Sequence, residues 1–530
     1  MSFKLSKNLL PRLYPILVEY TLYTLYCLFL KKSVWFISLI QSLSVNSGSE
    51  TIQPTPSHKT MSNLNEDYPA ADATLAPTET TVPAEEKPKA EPRPALSMFD
   101  AIAVIVGVVV GAGIFRTPSL VAANVESGTM FLTTWVLGGL VSLIGALCYA
   151  ELTTTFPHAG GDYHFLTKAF GKRLAFLFAW ARMSVIQTGS IALLSFIIGD
   201  YMAQIYSIGE LSSVIYAALV VVLLTSINII GVSFGTGVQR FLIILEVLGI
   251  VFVLGAAFLF TPSEATAVST GSTGNGTSMG LAMVFVLLTF GGWNEAAYIS
   301  AELKSGRRGM ATALIASIAI ITLIYLLINM AYLHVLGLEG MASSDAVAAD
   351  LVRVTLGDTG MVLIGIIVTL AALTSANATI LTGARTNYAL GRDFPVFSFL
   401  GQWNTKASSP VNAYMVQGIV ALALVGLALF TRNGFETMVE YTAPVFWFFL
   451  LLVGIALFVL RRKEPDRPRP FKVPFYPITP LVFCITSAYL LYSSLMYTGL
   501  GALVGIGVLI LGVLVLLALP TIEKRMKNRA

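Results

Sequence analysis

Between residues 98 and 520 the chain alternates long apolar runs with short polar connections. Each run holds roughly 20 residues, enough for one helix to cross a hydrocarbon core about 30 Å thick. In order, the runs predict about twelve spans. Their approximate edges are 99–123, 130–155, 174–206, 211–231, 238–260, 279–302, 311–336, 359–390, 411–430, 437–460, 475–498 and 501–520. The fold class expected from this pattern is an all-α polytopic membrane protein.

Two of the runs are interrupted. "GVVVGAGIFRTPS" (107–119) places three glycines and a proline inside the first span, and "FGGWN" (290–294) interrupts the sixth. Hydrocarbon supplies no water to satisfy the N–H and C=O groups that such breaks release, so a break is tolerated only where something else occupies it. The two breaks, at Gly111, Ala112 and Gly113 and at Phe290 to Asn294, correspond if spans one to five are repeated by spans six to ten with inverted topology. A matched pair of Gly-interrupted spans points to a transporter site near the bilayer midplane. The outer half-helix would offer amide N–H groups and a partial positive end to a carboxylate. The inner half-helix would offer carbonyls to an ammonium. Such a site suits a zwitterion, and glycine lets the ligand approach the backbone closely. The competing reading is packing, since "GVVVGAG" also contains a GxxxG helix-contact pattern.

The charges between spans alternate by side. One set of loops carries Lys168, Lys172 and Arg173, then Lys304, Arg307 and Arg308, then Arg392 and Lys406, then "RRKEPDRPRPFK" (461–472), and finally Lys524, Arg525, Lys527 and Arg529. The opposite loops carry Glu210, Glu264, Glu339, Asp345, Asp350 and Asp358 with few basic residues. The excess of Lys and Arg marks the cytoplasmic side and places both termini of the core there.

Residues 1–97 differ from the rest. An apolar stretch (14–40) is broken by Glu19, Lys31 and Lys32, and 43–97 is rich in Ser, Thr, Pro, Glu and Ala, a composition that predicts disorder. Met61 makes an over-called start before it one reading; a signal peptide and an extra span are the others. The membrane domain is expected over 98–525.

Composition agrees with the pattern. Hydrophobic residues make up 55% and charged residues 12%, against about 25% charged in soluble chains. Mean hydropathy is +0.77. The net charge of +4 reflects basic residues in short loops and gives no reason to expect a nucleic-acid partner. Three cysteines, Cys27, Cys148 and Cys484, stand singly, and four histidines form no ligand cluster. No cofactor, metal or partner subunit is expected.

Four segments together carry a resemblance: "GAGIF" in the first span, "YAELTTTFPHAGGDYHFLTKAFG" (149–171), "FGGWNEAAYISAELK" (290–304) and "RRKEPDRPRPFKVPFYP" (461–477). They resemble the amino acid–polyamine–organocation superfamily of permeases, closest to the L-type amino acid transporter branch and its bacterial relatives. The resemblance covers about 98–525. It implies a five-plus-five inverted repeat with two further helices, discontinuous helices one and six, and alternating access. On it, the carboxylate-binding turn maps to Gly111, Ala112 and Gly113, continuing into Ile114. The ammonium-binding carbonyls map near Val109 and Val110 and onto Leu288, Thr289 and Phe290, beside Gly291. Leu288 stands where the branch usually has an aromatic gate. Trp293 and Asn294 match the family's "GWN", with Asn294 either bonding substrate or holding the unwound loop.

Embedded charges are costly in hydrocarbon and usually functional. Span five carries Glu246 where many relatives have a lysine. It is expected either to bind and release a proton during transport or to pair with Arg240 or Arg116. Arg116 and Glu295 follow the two breaks and are expected to pair with each other as a latch; otherwise Arg116 would recognise an acidic substrate or Glu295 a basic one. In span eight, Thr374, Ser375 and Asn377 are polar groups at depth, with hydroxyls where a cation site would sit in sodium-coupled members. Glu151 and "GGDY" (160–163) are expected to form an inner latch with nearby basic residues. HExxH is absent from the sequence, the two GxSxG matches (GVSFG at 231–235 and GTSMG at 276–280) lack the strand-to-helix setting that chemistry needs, and isolated polar residues do not make a channel lining. The expectation is a plasma-membrane permease for amino acids, neutral ones first, working as an exchanger or a proton symporter.

Overall fold

The computed structural model describes residues 98–530 apart from 159, 231–235, 262–277, 296, 298–305, 405–408, 432, 498–499 and 528–530. The N-terminal stretch 1–97 and the side chain of Arg240 lie outside the described residues. Among those described, the chain is almost wholly helical, and nine helices are long and apolar enough to cross a membrane.

The first span is α1 (Met98–Val109), a 3-10 turn (Ala112–Phe115) and α2 (Thr117–Ala123). The second is α3 (Gly128–Thr155). A short helix, α4 (Gly161–Phe170), leads into the third span, made of α5 (Lys172–Ala181), a π-helical turn (Arg182–Ile186) and α6 (Gln187–Ile205). Then come α7 (Ser212–Ile230), α8 (Thr236–Leu259) and the broken sixth span, of which α9 (Met279–Thr289) is the first half. The remainder is α10 (Gly306–Ala342), α11 (Val347–Asp393), α12 (Val411–Leu427), α13 (Gly434–Lys463), α14 (Ile478–Tyr497) and α15 (Leu500–Lys527).

Local chemistry starts several of these helices. The side chains of Ser127, Ser278 and Asn433 accept the N–H of Met130, Leu281 and Glu436 at 3.2, 3.1 and 3.2 Å, satisfying amides that the first turn leaves over. Helices α10 and α11 run beyond the spans expected from hydropathy, and non-helical backbone at Gly337 and Gly357 bends them near the expected edges, 336 and 359.

The packing follows the repeat. The second span lies against the seventh (α3 on α10), the third against the eighth (α6 on α11) and the fourth against the ninth (α7 on α12). A pseudo-twofold axis relating two five-helix units pairs equivalent helices in this way. Small residues permit close approach: Gly138 sits on Val286 and Phe290, and Gly139 on Thr322. Outward-facing residues such as Leu259 and Leu517 are apolar and exposed, as a lipid-facing surface requires.

Candidate substrate site at two broken helices

Helix α1 stops at Val109. Gly111 is extended (φ −101, ψ −169), and the hydrogen bonds across the break are short-range. Gly111 N–H reaches Val109 O at 2.8 Å, Ile114 N–H reaches Gly111 O at 3.4 Å and Arg116 N–H reaches Gly113 O at 3.1 Å. The ladder resumes in α2, where Pro118 stands at the start of the helix, a position that has no intrahelical partner to lose.

The sixth span breaks by a different route. Phe290 N–H still reaches Val286 O at 2.9 Å, but Gly291 N–H turns back to Leu288 O at 3.0 Å. Gly292 takes φ 105, a left-handed conformation that a Cβ would strain, and Trp293–Glu295 then form a 3-10 turn. Both predicted breaks are therefore present, and they face each other: a Cβ placed on Gly113 would meet Thr289 Cγ2 at 3.6 Å.

One side chain ties them. The hydroxyl of Tyr325, on α10, lies 2.8 Å from Val109 O and 3.0 Å from Thr289 O. Its ring packs edge-on against Trp135 and Phe290, with centroids 5.6 and 4.9 Å away. Val109, Val110, Ala112, Ile114, Thr289, Phe290, Trp293 and Asn294 are all buried, while Gly111, Gly113, Leu288 and Gly291 are half-buried. Trp293 stacks edge-on to Tyr149 at 5.1 Å.

The embedded charges pair differently from expectation. Arg116 and Glu295 do not form a latch with each other. Arg116, fully buried, donates to Ser119 Oγ at 2.8 Å, Ser344 O at 3.0 Å and Asp345 Oδ1 at 3.0 Å, and its Nε lies 3.3 Å from Asp200. Glu295 instead receives Arg182, with Nη–Oε distances of 3.2 and 3.1 Å. The reason is direction along the helices. Arg116 leaves its break toward the end that carries the acidic loops, whereas Glu295 leaves toward the end that carries the basic ones. Glu246 is buried, and its Oε1 has no hydrogen-bond partner among the described residues; Arg116 pairs with Asp200 and Asp345 instead.

Glu151 does pair with basic residues, as expected. Its carboxylate takes Arg461 Nε at 2.7 Å and the backbone N–H of Val473 at 2.7 Å, with Arg469 Nε at 3.5 Å. Lys168 and Glu464 lie 3.4 Å apart beside it. In "GGDY", Asp162 turns inward beneath the second break. Burial pushes its carboxyl up to about 7; Tyr149, Arg182 and Asn294 act the other way, while Glu295 adds to the rise. On α11, Thr374 Oγ1 returns to Leu370 O at 3.0 Å and Asn377 accepts from Asn228 at 2.7 Å, both structural contacts. Ser375 is half-buried.

Sequence reasoning passed over Tyr325, Arg182 and Asp200. The last two are charges inside an apolar run, the same signal that singled out Glu246, and Arg182 opens a π-helical turn, a feature often found at functional sites. Tyr325 carries no such mark.

An all-helical membrane domain with two facing breaks at corresponding positions defines a carrier-type membrane fold. Residues 96–519 match the amino acid permease family, and the chain belongs to that family. Relatives include the mouse b(0,+)-type amino acid transporter 1, 29% identical over 413 residues, covering 76% of this chain and 82% of the relative. The human cystine/glutamate transporter is 29% identical over 419 residues, covering 77% and 82%. The mouse large neutral amino acids transporter small subunit 2 is 27% identical over 430 residues, covering 79% of each.

Proposed function

We propose that the protein exchanges α-amino acids, neutral ones above all, across the plasma membrane by alternating access around the paired breaks. The substrate carboxylate lies on the amides of Gly111, Ala112 and Gly113, with Ile114 behind it. The ammonium faces the carbonyls at Val109, Val110, Leu288, Thr289 and Phe290, beside Gly291, and Trp293 and Asn294 hold the second turn. The observation that carries this reading is the convergence of carbonyls from two different broken helices, Val109 and Thr289, on one point 2.8 and 3.0 Å away. That point is the Tyr325 hydroxyl, which holds carbonyls released by both breaks side by side, and a cationic nitrogen would be received beside it.

The preference for neutral side chains follows from the ion pairs. Arg116 and Glu295, the charges next to the breaks, are both occupied by protein partners, leaving neither to read a charged side chain. Relatives bear names that specify different amino acids, so the family alone does not select one. The basic end, with Arg461 and Lys168, faces the cytoplasm under this reading. The clusters around Arg116 and around Arg182 and Glu151 then lie on opposite sides of the site, as bonds broken in turn during the cycle. Glu246 carries the coupling proton, because a bound proton removes the cost of burying its charge. Thr374, Ser375 and Asn377 line the scaffold side.

Counterflow in proteoliposomes tests the proposal. Uptake of labelled neutral amino acids should saturate and accelerate when unlabelled amino acid is loaded inside. Linear, non-saturable flux would refute it.

A further inference from the structure

We infer that the corner at 472–478, where the loop after α13 enters α14, is a binding site for an anionic phospholipid of the adjoining leaflet. Arg462 and Lys472 take the headgroup phosphate, Phe475 lies among the upper acyl chains, and the bound lipid steadies the neighbouring Glu151 cluster. The inference needs only that α13 and α14 cross the membrane, as their length and apolarity allow. It does not rest on the substrate assignment.

Most cations of this loop are committed. Arg461 and Arg469 turn to Glu151, Arg467 to Glu464 and Lys463 to Ala169 O. Arg462 and Lys472 are exposed and, among the described residues, form no ion pair, not even with the exposed Asp466. Their chain neighbours meet on one carboxylate, since Glu151 accepts Arg461 Nε and the N–H of Val473, each at 2.7 Å. Arg462 follows the first of these residues and Lys472 precedes the second, so the two uncommitted charges stand at one corner. Basic side chains at a bilayer surface attract anionic headgroups.

Phe475 supplies the apolar half of the site. Its φ of 52 is left-handed, a strained conformation for a bulky side chain. The turn is held there by its own bonds: Phe475 O accepts the N–H of Ile478 at 2.7 Å and of Thr479 at 3.3 Å, and Thr479 Oγ1 donates to Pro474 O at 2.6 Å. The ring placed at this cost is 82% exposed, and Ile478, the first residue of α14, is exposed beside it. Water gives no return for presenting a phenyl ring, whereas the acyl boundary does. The corner also touches the ion-pair cluster. The ring of Tyr476 lies over Arg461, its centroid 3.7 Å from the guanidinium carbon, and Val473 is bound to Glu151. A lipid that fixes 472–478 therefore fixes two contacts of that cluster.

The experiment titrates the purified full chain in detergent with dioleoylphosphatidylglycerol or dioleoylphosphatidylcholine and counts bound lipid by native mass spectrometry. The wild type should prefer the anionic lipid. Arg462→Gln and Lys472→Gln should each weaken its retention about fivefold and leave phosphatidylcholine unchanged. No preference in the wild type, or undiminished retention in both variants, overturns the inference. Inorganic phosphate at matched ionic strength should not displace the lipid; displacement would mark a site for free phosphate and overturn it too. Asparagine tolerates the left-handed backbone better than phenylalanine. Phe475→Asn should therefore melt no lower than the wild type in lipid-free detergent yet retain less of either lipid, and full retention there removes the ring from the site. Phosphatidylglycerol should also raise the melting temperature of the wild type. Tyr476→Leu, which keeps both cations and Phe475, should still hold the lipid but lose most of that rise; a full rise would sever the link to Glu151.

Discussion

Arg182 grips Glu295 through two roughly parallel contacts of 3.2 and 3.1 Å, joining the π-helical turn of the third span to the turn just beyond the second break. The pair is not isolated. Asp162 lies close enough to feel both charges, so one cation serves two carboxylates. Losing the cation should therefore do more harm than losing one acid. Arg182→Met is expected to lower exchange at least about tenfold by leaving two facing acids without a counter-charge, while Glu295→Gln, which leaves Arg182 facing Asp162, has the smaller effect. Initial rates of counterflow at matched protein density measure the difference; equal losses would show that the arginine acts on Glu295 alone.

Asp162 makes a pH-dependent contribution to stability with a definite sign. Its carboxyl ordinarily titrates at 3.8 and burial raises it to about 7. Because the folded value lies above the unfolded one, the contribution is complete below about 4 and is lost as pH rises to about 7. The neighbouring His164 runs the other way: burial lowers it from 6.5 to about 4, so its contribution is lost as pH falls through that window. Melting curves of the purified protein in detergent should show Asp162→Asn gaining relative to the wild type as pH rises from 4 to 7. A constant difference between the two would contradict the assignment.

Glu246 is buried, and its Oε1 has no hydrogen-bond partner among the described residues. If it carries the coupling proton, Glu246→Gln should abolish the dependence of uptake on an inward proton gradient and leave exchange at zero gradient intact. Uptake measured with and without an imposed pH step decides it, and an undiminished response to the step would remove Glu246 from coupling.

The backbone at Gly113 has room for one methyl but little more, since a Cβ there would touch Thr289 Cγ2 at 3.6 Å. Gly113→Ala should therefore bind substrate with modest loss, whereas Gly113→Val, whose added methyls fill the gap between the breaks, should abolish measurable binding. Scintillation proximity binding to purified protein separates the two. Wild-type affinity in the valine variant would mean that Gly113 serves helix packing.

Much of the architecture was legible because hydropathy reports directly on length: an apolar run crosses the bilayer or it does not, and Gly111 and Gly292 betray their breaks in a medium where helices otherwise stay whole. The partners of the embedded charges were not legible. Arg116 and Glu295 follow equivalent breaks, which suggested a shared latch. Inverted topology sends them toward opposite ends of the molecule, where Asp200 and Asp345 wait for one and Arg182 for the other. Tyr325 was invisible for a different reason. A tyrosine within an apolar run reads as one more packed aromatic, and only coordinates reveal that its hydroxyl meets two carbonyls far apart in sequence.

The clamps at the two ends differ in how much water reaches them. The Asp345 side chain that helps hold Arg116 is 72% exposed, whereas Glu151, which holds Arg461, is 2% exposed. Dissolved ions screen charges in water over about 10 Å at 0.1 M salt and barely touch a dry pair. Salt is therefore expected to weaken the Arg116–Asp345 contact and to leave the buried Glu151 carboxylate on Arg461 far less affected.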